Sequence, residues 1–467
     1  MPERLSALDA SFLYLEGEAT PMHVGGVAVF TRPRAGFDYE WLLALFSQRL
    51  AFLPRYRQRV IPVPGGLARP VWVDDTEFDL SYHVRRSALP APGSDEQLFE
   101  LVARLMSRPL DRQRPLWEAY IVEGLADDRF ALITKTHQAV VDGISTIEIG
   151  QLIMDTQPEP REHQDEGWIP RREPTRPQLV LDAVTEAIRQ PSELVDNVRL
   201  AAKDAASTAS KVVGAVGELT TALRTAIAPP TVSPLNAPVS KQRRYAGAQA
   251  RLADLRAVRL RHGGTVNDVV LAAISGALRE WLLSRGATVS ASTTVRALAP
   301  MAVRDPDTGA FFSGLVGNEV AAYLVDLPVG EPNPVLRLRH VSHAMSGHID
   351  SGRSVAASAL STVSGFAPAT LHSLGARAAS ALSSRIFNLV VTNSPGPQHP
   401  LYAGQAQLAE MYPVIPLAHN QALAIGVSSY DGGIYFGFNA DRDAVSDVAN
   451  LARMVEESVD ELRDTAR

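Results

Sequence analysis

The sequence predicts an α/β protein of two lobes, with any site at the interface between them. Three observations predict it. Short β-like runs alternate with helical ones at both ends of the chain. A Pro-rich, then Ala-rich stretch interrupts that alternation in the middle. The length, 467 residues, exceeds what one compact core organises. Hydrophobic residues make up 46% and charged ones 21%, ordinary globular usage that argues against disorder.

Residues 1–156 form the predicted N-terminal lobe. Residues 24–30 read as a strand and 40–50 as a helix. Residues 130–136 read as another strand, rich in strand formers and preceded by the turn residues Ala126-Asp127-Asp128. Residues 157–239 read as a linker and crossover, with Pro158, Pro160, Pro170, Pro174 and Pro177 opening it. From 179 to 228 the chain is Ala-rich and helical, and Pro191 divides it into two helices. Val212, Val216, Leu219, Leu223 and Ile227 give one apolar stripe. Its polar side mixes acids with bases, whereas a membrane-surface helix carries a basic excess, so packing against the protein is the expectation. Residues 240–467 form the predicted C-terminal lobe. There 267–283 reads as a helix, and 422–430 and 434–439 as strands of a hairpin turning at Asp431-Gly432-Gly433. A cleft between such lobes is where pockets tend to form.

Composition excludes several function classes. A net charge of −6 gives no basic face for nucleic acid. The absence of cysteine removes disulfides, thiolate metal sites and a cysteine nucleophile. The chain lacks Gly-x-Ser-x-Gly, a P-loop and Gly-x-Gly-x-x-Gly, so serine-hydrolase chemistry and nucleotide phosphates are not expected. Met1-Pro2-Glu3-Arg4-Leu5 lacks a signal-peptide profile, and no apolar run reaches spanning length. A cytoplasmic protein, free or resting on a surface, is the expectation. His340, His343 and His348 fall in one predicted helix, but about 100° per residue spreads them around it, and Gly347 is a candidate helix end. With Arg337, Arg339 and Arg353 nearby, they read as a solvated or partner-facing surface, with no metal.

The most informative run is Lys135-Thr136-His137-Gln138-Ala139-Val140-Val141-Asp142-Gly143-Ile144-Ser145. A strand ends, a histidine appears, and Asp-Gly opens what reads as a helix. Such a corner aims a side chain from a rigid element into a cleft, and Gly143 permits a tight turn or close approach. Asp142 suits a helix start and could hold an arginine of the other lobe. Alone, the pattern better fits a hydrogen-bonded histidine beside a helix cap. Trp72 and Trp117 lie in apolar strand contexts and read as core. Ser145 could face the site or satisfy a backbone group.

This run resembles the His-His-x-x-x-Asp-Gly motif of the bacterial wax ester synthase/diacylglycerol acyltransferase family, within the CoA-dependent acyltransferase superfamily. The resemblance continues in order through 8–13, 21–26 (Pro-Met-His-Val-Gly-Gly) and Arg114-Pro115-Leu116-Trp117-Glu118. It runs on through Thr265-Val266-Asn267-Asp268, Pro300-Met301-Ala302-Val303-Arg304, Gly317-Asn318, 388–397 and Tyr412-Pro413-Val414. It implies transfer of a long-chain acyl group from acyl-CoA, a co-substrate and not a cofactor, to diacylglycerol or a long-chain alcohol. Such apolar substrates, with the 179–228 apolar stripe, lead to the expectation of partial partitioning onto a membrane or lipid droplet. In the family the second histidine of the motif is the general base, and here Gln138 stands at that position. An amide can hydrogen-bond a hydroxyl but cannot accept its proton near neutral pH. Three outcomes stay open: His137 acts as base, Gln138 positions the substrate and turnover is slow, or the site binds lipid or acyl-CoA silently. Acyl transfer onto a polyketide hydroxyl is a further alternative within the superfamily.

By the same resemblance Asn267 and Asp268 lie near the acyl-transfer cleft. The residues alone read as an ordinary cap, with Asn at the N-cap and an acid in the first turn. Arg304 is the candidate partner for Asp142 across the lobes, though Asp305 and Asp307 are nearer in sequence. Pro115 and Trp117 are expected to be structural.

Overall fold

The computed structural model describes residues 2–33, 38–141, 153–159, 168–189, 233–302, 320–350 and 386–467. The first lobe runs α1 (Ala7–Leu15), β1 (His23–Thr31), α2 (Tyr39–Leu50), β2 (Gln58–Ile61), β3 (Val71–Asp74), α3 (Leu80–His83) and β4 (Val84–Ala88). It continues with α4 (Asp95–Met106), β5 (Trp117–Leu125), β6 (Arg129–His137) and the turn α5 (Gln138–Val141). Of the crossover, one helix is described, α6 (Arg176–Arg189); the apolar stripe and Pro191 lie outside the described residues. The second lobe carries β7 (Arg243–Arg251), α7 (Leu252–His262), α8 (Val266–Ser284), β8 (Val295–Ala302), β9 (Val320–Leu327) and α9 (Pro334–Asp350). Then follow β10 (Leu389–Pro395), β11 (Tyr402–Ala403), β12 (Ala406–Val414), β13 (Leu423–Tyr430), β14 (Gly433–Asp441) and α10 (Val448–Asp464).

Two six-stranded sheets organise these elements, in the orders β11-β12-β1-β6-β5-β4 and β7-β14-β13-β10-β8-β9. Each has its own core, one around Phe30, Phe46, Trp117 and Phe130, the other around Ile274, Trp281, Phe436 and Phe438. The two-lobed α/β expectation holds. The turns read from the sequence are where the chain reverses: Asp127 and Asp128 have φ of 59° and 53°, and Asp431 and Gly432 have φ of 41° and 83°. Asp431 and Gly432 are the two residues between the paired Tyr430 and Gly433, and consecutive left-handed residues match the strand twist of such a two-residue hairpin.

A split at residue 240 does not describe the sheets. β11 and β12 follow β10 in the chain but belong to the first sheet, where β12 pairs antiparallel with β1 (Gly25 opposite Val414, Val27 opposite Tyr412). β12 also lies against the second sheet. The Tyr245 hydroxyl donates to Pro413 O (2.9 Å) and Ser428 Oγ to Met411 O (2.8 Å). Gly247, Gly437 and Gly426 stand opposite one another on β7, β14 and β13. A Cβ at Gly437 would fall 1.9 Å from Pro413 O, so the stripe of missing side chains is what lets β12 approach.

The end of α4 is a second junction. His23 contacts Met106 O (3.0 Å), Lys135 Nζ donates to Leu105 O (3.2 Å), and Ser107 Oγ accepts the Arg243 N–H of the second lobe (3.0 Å). Basic side chains there satisfy carbonyls the helix leaves unpaired.

α9 corrects two expectations. Gly347 does not end the helix, which runs to Asp350. Arg337 is not on the surface: it is 2% exposed, donating to Ala272 O (3.2 Å) and to Glu461 (2.8 Å). His340 and His343 are exposed, and no metal-holding group of His, Asp or Glu occurs among the described residues.

Candidate active site

β6 lies between β1 and β5, and its run of strand formers is buried on both faces. It ends at His137, where the chain turns sharply into α5. Two backbone bonds hold this corner. The His137 N–H donates to Leu116 O (2.9 Å) and the Gln138 N–H to Met22 O (2.8 Å). Thus the Pro-Leu-Trp and Pro-Met-His segments, far apart in the sequence, grip consecutive residues of the motif. Trp117 anchors the first of them. Its ring is fully buried, donates from Nε1 to Tyr56 O (2.7 Å), and stacks on His83 at 4.6 Å. Pro115 O accepts the Trp117 N–H (2.9 Å). Trp72, 3% exposed, is core as expected.

His137 and Gln138 have different surroundings. His137 is 1% exposed, whereas Gln138 is partly exposed. His137 Nδ1 accepts the Ala139 N–H at 3.0 Å. Because that amide can only donate, the neutral ring carries its proton on Nε2. Nε2 has no hydrogen-bond partner among the described residues, and Glu16 Oε2 lies 3.8 Å away. Burial lowers the His137 pKa from 6.5 to about 4, against the opposing pull of Glu16. Burial thus favours the neutral ring, and the Ala139 N–H engages its Nδ1 lone pair.

Asn267 and Asp268 sit in the second lobe at the start of α8. The cap is Thr265, not Asn267: its hydroxyl accepts the Asp268 N–H (3.1 Å), and Asp268 returns a carboxylate oxygen to the Thr265 N–H (2.8 Å). That reciprocal arrangement satisfies two orphan donors of the first turn. Asp268 is 3% exposed. Asn267 Oδ1 accepts from Asn393 Nδ2 at 3.0 Å, tying α8 to β10. Asp142, Gly143, Ser145 and Arg304 lie outside the described residues.

Several residues at the corner escaped the sequence reading. Met22 and Leu116 act through backbone carbonyls, which leave no side-chain signal. Glu16 and Arg112 pair beside His137, and nothing in their spacing points to it.

Comparison with known proteins decides the family. The family model of the wax ester synthase/diacylglycerol acyltransferase catalytic domain matches residues 5–270. The chain belongs to this family. The model of the family's C-terminal domain matches residues 316–463. The probable diacylglycerol O-acyltransferases tgs2 and tgs1 of Mycobacterium tuberculosis are similar at 34% and 33% identity. Each alignment covers 97% of this chain, and 97% and 94% of the respective relative. The probable diacylglycerol O-acyltransferase tgs3 of the same organism is 49% identical over 264 residues, 56% of this chain and 97% of its own length. Among solved structures, the wax ester synthase/diacylglycerol acyltransferase of Marinobacter aquaeolei VT8 superposes with a TM-score of 0.70 at 28% identity, covering 99% of both chains. The first condensation domain of the CDA synthetase shares the fold, with a TM-score of 0.55 at 14% identity over all of this chain and 97% of that one.

Proposed function

We propose that this protein transfers a long-chain acyl group from acyl-CoA to the hydroxyl of diacylglycerol or of a long-chain alcohol. One observation carries the reading: the motif corner is built and gripped by its neighbouring strands in a chain that belongs to the wax ester synthase/diacylglycerol acyltransferase family over nearly its whole length. In the reaction the acceptor oxygen bonds to the thioester carbonyl carbon, the C–S bond breaks, and the hydroxyl proton ends on the sulfur of free CoA. Gln138 is the partly exposed member of the pair, so its amide oxygen accepts the hydroxyl's hydrogen bond and orients the attack. It takes no proton. His137 positions the corner and is not the base. Turnover is then slower by the ~10²–10⁴-fold that a general base contributes. The test is palmitoyl-CoA with diolein and with hexadecanol. Ester formation above a no-enzyme control supports the reading, while acyl-CoA binding without any ester product supports the silent alternative that Gln138 suggests.

Two further parts of the proposal rest on other features. The expected pairing of Asp142 with Arg304 falls outside the described residues, and charge reversal tests it: reversing both charges should restore what either single reversal loses. The protein also rests on lipid surfaces. No helix among the described residues is long and apolar enough to cross a membrane. The exposed Ile169, and a surface groove of about 520 Å³ lined by Pro64, Arg176, Pro177, Val180, Leu181 and Val184, support peripheral contact. Flotation with triolein emulsions tests it, and a protein that stays wholly in the aqueous fraction would end the idea.

A further inference from the structure

We infer that Glu16 is a positioning residue for the acyl-transfer corner: one carboxylate oxygen fixes the strand end that carries Gln138, and the other lies against the edge of the His137 ring. The inference rests on the proposed function and deepens it. Glu16 follows α1 directly, and its side chain is only 9% exposed. A carboxylate held that far from water needs a partner. Arg112 supplies one, donating from Nε to Glu16 Oε2 at 2.9 Å while its Nη2 reaches Leu13 O at 3.0 Å. The pair is thereby fixed to the last turn of α1.

From this anchor the path to the site is short. Glu16 Oε1 accepts the Met22 N–H at 3.2 Å, and Met22 O accepts the Gln138 N–H at 2.8 Å. Two hydrogen bonds and one residue separate the carboxylate from the position that orients the acceptor hydroxyl. On its other side, Oε2 stands 3.8 Å from His137 Nε2. A negative charge there favours the proton on Nε2, the same tautomer that leaves Nδ1 free to accept from Ala139. Glu16 thus acts on both residues of the motif pair from outside the motif. Since a displacement of about 1 Å at a reacting geometry costs ~10²-fold in rate, loosening Met22 should appear in turnover before it appears in binding.

The experiment compares wild type with Glu16→Gln and Glu16→Ala. Glutamine keeps an oxygen for the Met22 N–H but loses the charge that faces Arg112 and His137; alanine loses both. Glu16→Ala should lower kcat by ~10²-fold with the KM for palmitoyl-CoA within about threefold, and Glu16→Gln should fall between. Amide hydrogen exchange gives a readout that needs no turnover. In Glu16→Ala the peptide 134–141 should exchange about tenfold faster, while the peptide 433–441 in the second sheet stays at its wild-type rate. Wild-type exchange at 134–141 would overturn the assignment. So would faster exchange everywhere with activity lost in proportion to folded protein, which marks a merely structural residue. If wild type itself makes no ester, the proposed function falls, and the exchange comparison alone decides the role of Glu16.

Discussion

His137 Nδ1 accepts the backbone N–H of Ala139 at 3.0 Å, a bond that engages the ring's lone pair; on the proposed function it leaves His137 no part as base. The partly exposed residue of the pair is Gln138. Gln138→His should therefore raise turnover by ~10²–10⁴-fold. The rate in that variant should climb with pH through ~6–7 as the new imidazole loses its proton. Wild type, with no titrating base, should lack that step. His137→Ala should lower thermal stability, with any drop in kcat matching the loss of an ordered corner. A pH–rate step near 6–7 in wild type that disappears in His137→Ala would reverse these roles.

Acid should unfold the first lobe early. Burial lowers the pKa of His137 and of His83 from 6.5 to about 4 each, and puts that of His23 well below 6.5. These rings stay neutral in the folded state while the unfolded chain protonates them. Between about pH 6.5 and 4 the unfolded state therefore binds more protons, and stability falls as pH falls. Each ring contributes up to about 1.4 kcal/mol per pH unit in that window. Thermal melts from pH 7.5 to 4.5 should show the decline, and His83→Phe, which keeps a ring in the stack between Phe78 and Trp117, should flatten it. An equal slope in that variant would remove His83 from the account.

What the sequence revealed was mostly local. β6 and the β13–β14 hairpin were legible because strand formers and turn residues lie next to each other in the chain. The start of α8 carried its signal as Thr265-Val266-Asn267-Asp268, a capping box whose cap is Thr265, although Asn267 is an equally good capping residue type. The return of β12 to the first sheet left no trace, since pairing of residue 27 with residue 412 is a matter of tertiary register. At the site, the motif run marked the corner, and its Pro-Leu-Trp and Pro-Met-His clamps were visible as segments. Their meeting through Leu116 O and Met22 O was not. Nor was the burial of His137 against the exposure of Gln138, which depends on where the strand ends.

The glycine at 437 should tolerate no side chain. A Cβ there would meet Pro413 O at 1.9 Å, a backbone atom that cannot swing away, whereas a Cβ at Gly432 meets nothing within 4 Å. Gly437→Ala should cost about 3 kcal/mol or more and lower the Tm by on the order of 10 °C. Gly432→Ala should cost about 1 kcal/mol, from its positive φ alone. Similar melting temperatures for the two variants would mean that β12 yields easily.

Arg337 gives the sharpest contrast between a buried charge and its exposed partner. Its guanidinium donates to Ala272 O, Glu331 O and Pro332 O as well as to Glu461. It lies where Gly276 leaves room, since a Cβ there would come within 2.6 Å of it. The carboxylate of Glu461 is 48% exposed and can be solvated without its partner, so Glu461→Gln should cost under about 1 kcal/mol. Arg337→Met preserves volume but strips donors from buried carbonyls and should cost about 2–4 kcal/mol. Arg337→Lys should rescue only part of that, because an ammonium cannot reach in the directions of a planar fork. Urea titrations of the three variants distinguish the cases. If Glu461→Gln proved as damaging as Arg337→Met, the ion pair, and not the carbonyl bonds, would be what holds α9 against α8 and α10.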